Sequence, residues 1–550
     1  VDVSKLLTGT VFWESSAKLF FCRWVRHRIP LAHREEFYHI LRMTGPLLLS
    51  RILNYLLPFV ITMFCGRLGN EVLAGYGLAC ATINVTTAAT GGGLALACDT
   101  LVSQTFGGKN LQRVGVILQR SVLILLLFCL PCWAMLLNTQ SILLALGQEP
   151  EVARCESDVY QSYQRVCFCA QGIILPQMYT AAAANIANVV TNYILLYWMD
   201  LGVIGSAAAN TLSQLYICSF LFAYIFWKKL YVKTWGGWTT EALQEWGSYM
   251  KLAIPSTLML CFEWWIYELG GFLAGMLSEV DLAAQHVVIM LAFINYMFPL
   301  GIQAAACVRV GNALGAGDTA GAILTSKVSL ALSVVLGLFP LSHALVIGFM
   351  FTSDEQIIDL VSQLLSVYCV LQFFDGLVCV CMGIILGTGQ QKIAAMANLI
   401  TYYCVGLPLG ISLMFAAGLR VVGFWLGLLI CVIIQSSFFI TVIFRLDWKK
   451  MTEKIVNGYM SVSAEGQGDL RGSNWTPEVQ KEDGSPRALL STTQLVLRRG
   501  LTVLTAIVIL AVGTSVHLLL PLPISTWSNL SVDWSNTTYP PELTPSTVLI

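Results

Sequence analysis

"LMLCFEWWIYELGGFLAGML", residues 258–277, has the length and apolar character of a bilayer crossing, yet Glu263 and Glu268 lie in its middle. Trp264, Trp265 and Tyr267 stand between the two acids. A helix needs about 20 apolar residues to span hydrocarbon, and a charged carboxylate at its centre costs roughly 2.5–3.5 kcal/mol. Two acids in one such run therefore need compensation. Five positions place them about 140° apart around a helix. Glu263 lies one turn before Tyr267, and Trp264 one turn before Glu268, so each acid has an aromatic on its own side. Burial disfavours the charged form of a carboxyl, which lets such a group hold a proton, release it and then attract a cation. Aromatic faces beside it suit a weakly hydrated organic cation. The plainer alternative is that the acids bond to neighbouring helices or line a wet, inert cavity. Pro255, lacking a backbone N–H, is expected to kink the same helix.

Working outward, the whole chain shares this apolar character. It has 550 residues, 56% of them hydrophobic and only 11% charged, with a mean hydropathy of +0.72. A soluble domain is nearer 25% charged. Apolar segments fall at 40–64, 72–106, 114–136, 173–199 and 201–227, then at 251–275, 281–306, 323–350, 357–386, 393–417 and 419–444, with one more at 500–520. The fold class is an all-α polytopic membrane protein. Residues 446–499, rich in Gly, Ser, Glu and Lys, read as a disordered linker.

Positive charge in the short loops sets the expected orientation. Arg23, Arg26 and Arg28 precede the first segment, Lys109 and Arg113 follow the second, and Lys228, Lys229 and Lys233 separate the two groups. Lys392, Arg445, Lys449, Lys450, Arg498 and Arg499 fall on the same side, whereas "GQEPE" (147–151), "SEVD" (278–281) and "TSDEQ" (352–356) lack Lys and Arg. Beyond Arg499 there is neither Lys nor Arg, and Asn529 and Asn536 head N-x-S/T sequons, which suits an extracellular end. The expected domains are a cytoplasmic segment 1–39, a first transmembrane bundle 40–227, a cytoplasmic loop 228–250 and a second bundle 251–445. The cytoplasmic linker 446–499, a final transmembrane helix 500–520 and an extracellular tail 521–550 complete them. The start shows no secretory-signal order and no initiator Met, as expected of a fragment. Five segments precede the basic loop at 228–233, but two inside-facing ends need an even number. The sixth crossing is expected within 138–171, a stretch too polar to read as a span.

The two groups of segments repeat. Pro46 of "MTGPLLLS" matches Pro255 of "KLAIPSTLML", Gly107 of "SQTFGGKN" matches Gly315 of "GNALGAGD", and Asn185 of "AAANIANVV" matches Asn398 of "AAMANLITY". Matched landmarks on one side of the membrane mean parallel halves, an arrangement that transporters use with the substrate path between them. Asp375, in "LQFFDGLVCVC", is a further acid deep in an apolar run, with a structural hydrogen bond as the alternative to a binding role. Asp99, in "LACDTLVSQTFGG", reads equally as a gate, a cap or a binding group. Arg51 is expected to snorkel or to form an ion pair. "CLPC" (129–132) lies inside a spanning segment and reads as packing rather than redox chemistry. Six scattered histidines argue against a metalloenzyme, no GxxxxGK[ST] loop supports ATP drive, and no nucleophile–base cluster points to an enzyme.

"FCGRLGNEVLAGYGLACATINV", "GLALACDTLVSQTFGGKNLQRVGVILQRS", "LAIPSTLMLCFEWWIYELGGFLAGML", "VRVGNALGAGD" and "LVLRRG" resemble the multidrug and toxin extrusion family in its vertebrate form. The likeness runs from about residue 40 to 520, apart from 151–171. It implies two pseudo-symmetric six-helix bundles around a central cleft, plus an additional C-terminal helix. It also implies export of organic cations and drugs in exchange for protons at an apical plasma membrane, with a requirement for the acids at Glu263 and Glu268. The expected substrate and proton site is Glu263, Glu268, Asp375, Trp264, Tyr267 and Tyr296, with Asp99 as a gate or cap. No cofactor and no nucleic acid are implied, since the proton gradient supplies the energy; the partners are the cations, protons and the lipid bilayer. Three departures stand out: Asp375 replaces a glutamate of the family, Met290 occupies a position where relatives often carry glutamate, and "CESDVYQSYQRVCFCA" (155–170) replaces a full apolar fourth helix. The competing expectations are a lipid or oligosaccharide flippase of related architecture and a non-transporting variant with a damaged first bundle.

Overall fold

Pro30 opens the first helix: its fixed φ and missing N–H suit a helix start, and its carbonyl accepts from the amides of His33 and Arg34. The computed structural model describes residues 30–68, 84–138, 174–199, 202–229, 232, 234, 236–337, 355–465 and 492–519. The helices of the first half are α1 (Leu31–Leu68), α2 (Ala89–Gly107), α3 (Leu111–Leu137), α4 (Ile174–Tyr193) and α5 (Gly202–Trp227). Those of the second are α6 (Trp246–Gly275), α7 (Glu279–Gly315), α8 (Thr319–Gly337), α9 (Glu355–Thr388), α10 (Gln391–Asn398), α11 (Leu407–Ile411) and α12 (Arg420–Arg445). Then come α13 (Trp448–Glu465) and α14 (Thr492–Leu519), and no strand occurs among the described residues.

Local chemistry sets the boundaries. Asn110 accepts from the amide of Arg113 at 3.2 Å and caps α3, and Ser278 accepts from the amide of Asp281 at 3.1 Å and caps α7. The α9–α10 turn uses Gly389 at φ +79°, a left-handed conformation that glycine adopts without strain. Residues 399–406 and 412–416, on either side of α11, are wound as π-helix, next to Pro408, which has no amide to donate. Helix α6 runs unbroken through Pro255.

Eight helices among the described residues are long and apolar enough to cross a membrane. Helix α6 is not one of them. It occupies the expected segment, but its acids and aromatics dilute its hydropathy. The second half holds the larger core, which draws on α6 to α12 and on Ile40 of α1. A smaller core joins α2 and α3 to the amino end of α6 through Trp246, Tyr249 and Ala253. Asn185 donates to the Leu53 carbonyl of α1 at 2.7 Å, and its repeat partner Asn398 donates to the Met259 carbonyl of α6 at 2.9 Å. Each thus ties its helix to the first helix of its own half. Helix α14 packs on α3, where Asn138 donates to the Gly513 carbonyl at 2.9 Å.

The proposed linker 446–499 needs correction. Residues 448–465 form α13, and 492–499 already belong to α14. Polar composition hid an amphipathic helix: Trp448 is buried, and Thr452 bonds Thr319 at 2.9 Å across to α8, while Lys449, Lys450 and Lys454 stay exposed. The segment expected to supply a sixth crossing, 138–171, lies outside the described residues from 139 onward.

Candidate substrate and proton site

Glu263 lies on the buried side of α6 and is 8% exposed. The phenol of Tyr296 on α7 donates to its Oε1 at 2.6 Å. From α9, Asp375 comes within electrostatic reach of Glu263 and is itself 6% exposed. Both acids act on Tyr267, one turn after Glu263, and on Tyr296. Three helices thus bring Glu263, Asp375, Tyr267 and Tyr296 together. No salt bridge among the described residues reaches either acid. Two buried carboxylates without a cation cannot both stay charged without several kcal/mol of desolvation and repulsion. A proton or a cation from outside is the available compensation.

Around these four lies a belt of neutral polar and aromatic groups. The Trp425 ring of α12 stands 6.4 Å from Tyr267 and 5.8 Å from Tyr368, edge-on to the latter. Its indole N–H donates to Gln285 Oε1 at 2.6 Å, and the Tyr368 hydroxyl donates to Gln372. Asn398 accepts from Gln435 at 2.6 Å, and Tyr402 is buried within reach of both acids. These contacts fix the aromatic rings and leave the acids as the chargeable members.

The other expected site residues fall elsewhere. Glu268 is half-buried farther along α6, and Trp264, 36% exposed, turns away from the buried face that carries Glu263. Trp265 donates to the Val85 carbonyl at 3.0 Å, a link from α6 to the start of the α2 segment. Asp99 is exposed on α2, and Arg51 of α1, also exposed, is the opposite charge that acts on it. No salt bridge joins the two among the described residues, so Arg51 influences Asp99 at a distance. Met290 is half-buried on α7, nearly two turns before Tyr296. Reading the residues alone missed Trp425, Gln285, Tyr368 and Gln372. Their signal was present as single polar or aromatic residues in apolar runs, but such residues are common in spanning helices. No group of metal-binding side chains occurs among the described residues.

The family model described as MatE matches residues 46–163 and 255–411. The multidrug and toxin extrusion protein 1 of Danio rerio is 45% identical over 542 residues, covering 89% of this chain and 91% of its own. That of Homo sapiens is 43% identical over 546 residues, covering 88% and 94%. Among solved structures, the eukaryotic MATE transporter AtDTX14 superposes with a TM-score of 0.73 at 25% identity, over 78% of this chain and 99% of its own.

Proposed function

The chain belongs to the multidrug and toxin extrusion family, whose members are transporters rather than enzymes, and on that premise we propose that it exports organic cations in exchange for protons. Drug and toxin efflux comes from the family. The exchange partner is read from the site. The observation that carries it is the burial of Glu263 and Asp375 within electrostatic reach of each other, with no Lys or Arg bridging either among the described residues and with Tyr296 held on Glu263 at 2.6 Å. An organic cation neutralises the pair when bound, and protons neutralise it when the cation has left. Since one carboxylate cannot serve both at once, loading one ligand expels the other. Tyr267, Trp425 and Tyr368 supply aromatic surface suited to a weakly hydrated cation. Glu268 and Trp264 stand in this reading as an approach to the site rather than its centre. Asp99, in the other half and within electrostatic reach of Arg51, acts as a gate. Positive charge in the turns at 109–113, 228–233 and 445–450 favours a cytoplasmic side for that end of the molecule, and the family resemblance supports a plasma-membrane location.

The test is uptake of labelled tetraethylammonium into vesicles with and without an imposed pH gradient. Uptake that follows the gradient and is lost in Glu263→Gln is the expected result. Uptake that ignores the gradient sinks proton coupling. A chain that reaches the membrane and carries no cation under any gradient is the non-transporting variant.

A further inference from the structure

At the end of the molecule that carries the basic turns, the two halves touch in reciprocal pairs. A Cβ on Gly107 would fall 2.1 Å from the Asn312 carbonyl oxygen, and one on Gly315 would fall 1.8 Å from that of Gln104. The offset that relates Gly107 to Gly315 also relates Gln104 to Asn312, so each contact is the repeat of the other. Ser103 faces its own repeat partner, Gly311, where a Cβ would meet its hydroxyl at 2.3 Å. Gln104 donates to the Gly387 carbonyl at 2.9 Å and Thr100 to that of Leu386 at 3.1 Å. The seam is closed at backbone distance.

Ion pairs flank it with the same reciprocity. Glu36, near the start of α1, receives both Nε (2.5 Å) and Nη2 of Arg309 from α7, and the Thr325 hydroxyl of α8 at 2.6 Å. The offset between Pro46 and Pro255 carries Glu36 onto Glu245, at the start of α6. Glu245 accepts from Arg120 of α3 at 3.3 Å and lies 3.7 Å from Arg113. Ile40 and Tyr249 are likewise repeat partners, and each is buried in the core of the opposite half. The first helix of each half is thus held by an acid to the other half. In each pair one side chain is nearly buried, 9% for Glu36 and 8% for Arg120, while its partner is 28% exposed. Water can enter such a pair once it loosens, so it can be released without stranding a charge in hydrocarbon. Glu263 lies about 27 Å along α6 from Glu245 at 1.5 Å per residue. The seam therefore lies between this end of the molecule and the acids.

We propose that Glu36–Arg309 and Glu245–Arg120 are paired clasps that hold this end of the cleft closed, and that opening the site to this side requires releasing both. Their part in transport rests on the function proposed above; their part in closing the seam does not. The test uses the full chain in lipid nanodiscs with Ser103→Cys as reporter, a charged methanethiosulfonate reagent, and mass spectrometry of the peptide that carries position 103, so that native thiols do not contribute. Glu36→Gln and Glu245→Gln each speed modification of the reporter thiol about tenfold, and the charge exchange Glu36→Arg with Arg309→Glu returns it to the parent rate. Unchanged rates in both single variants overturn the proposal. So does a faster rate that the charge exchange leaves in place, because lost packing rather than a lost ion pair would then be the cause. Labelled-cation flux on the same variants separates the two readings: clasp-dependent labelling without any flux removes the transport function and leaves the clasps.

Discussion

The repeat register that pairs Pro46 with Pro255 sets Asn54 of α1 opposite Glu263 of α6, and the centres of the two halves differ accordingly. In the second half two buried acids, Glu263 and Asp375, lie among phenols and an indole, with no Lys or Arg bridging them among the described residues. At the centre of the first half the buried polar groups of the described residues are neutral, Asn188 and Asn192 foremost. Asn188 accepts from Asn192 at 2.6 Å and Thr191 and Tyr216 share a 3.5 Å contact, while the acid Asp99 is exposed with Arg51 acting on it. One scaffold thus carries a chargeable centre and a neutral one. A neutral centre can bind and turn with its partner, but it cannot exchange a proton for a cation. Among the described residues, the proposed coupling chemistry therefore resides in the second half.

Several substitutions press on that asymmetry. The largest effect belongs to Glu263→Gln, which lowers gradient-driven cation flux by about a hundredfold, the scale at which a positioned proton carrier contributes; initial uptake rates read it. Asp375→Asn follows with a loss of about tenfold, since a neighbouring charge biases a carboxyl by a unit or more, whereas Asp375→Glu retains flux. Tyr296→Phe removes the 2.6 Å bond to Glu263 and costs about fivefold. Trp425→Phe leaves Gln285 without its indole donor and lowers thermal stability by about 1–2 kcal/mol, read as an earlier unfolding transition in detergent. Asn54→Ala, at the position opposite Glu263, changes flux by less than about threefold. A loss at Asn54 as large as that at Glu263 would erase the distinction between the halves.

Much of this was legible in the sequence because charge is conspicuous in hydrocarbon. Glu263 and Asp375 announce themselves in apolar runs, and Pro46/Pro255 with Gly107/Gly315 reveal the repeat that later proves to be a reciprocal contact. The partners of the acids were not legible. Trp425, Gln285 and Tyr368 come from helices far apart in the chain, and nothing in their local sequence separates them from ordinary helix packing. Trp264 and Glu268 show the converse limit. Their spacing suggested a shared site, but which side of α6 becomes buried depends on neighbours that spacing does not encode. Helix α13 was hidden because its exposed face is Lys-rich and its buried face rests on few residues, Trp448 and Thr452 among them.

The most direct measurement is proton movement on cation addition, in vesicles loaded with a pH-sensitive dye, for the unaltered chain, Glu263→Gln and Asn54→Ala. The account predicts a prompt proton flux for the unaltered chain and for Asn54→Ala, and none for Glu263→Gln. Proton flux that survives in Glu263→Gln, or disappears in Asn54→Ala, would contradict a coupling site confined to the second half.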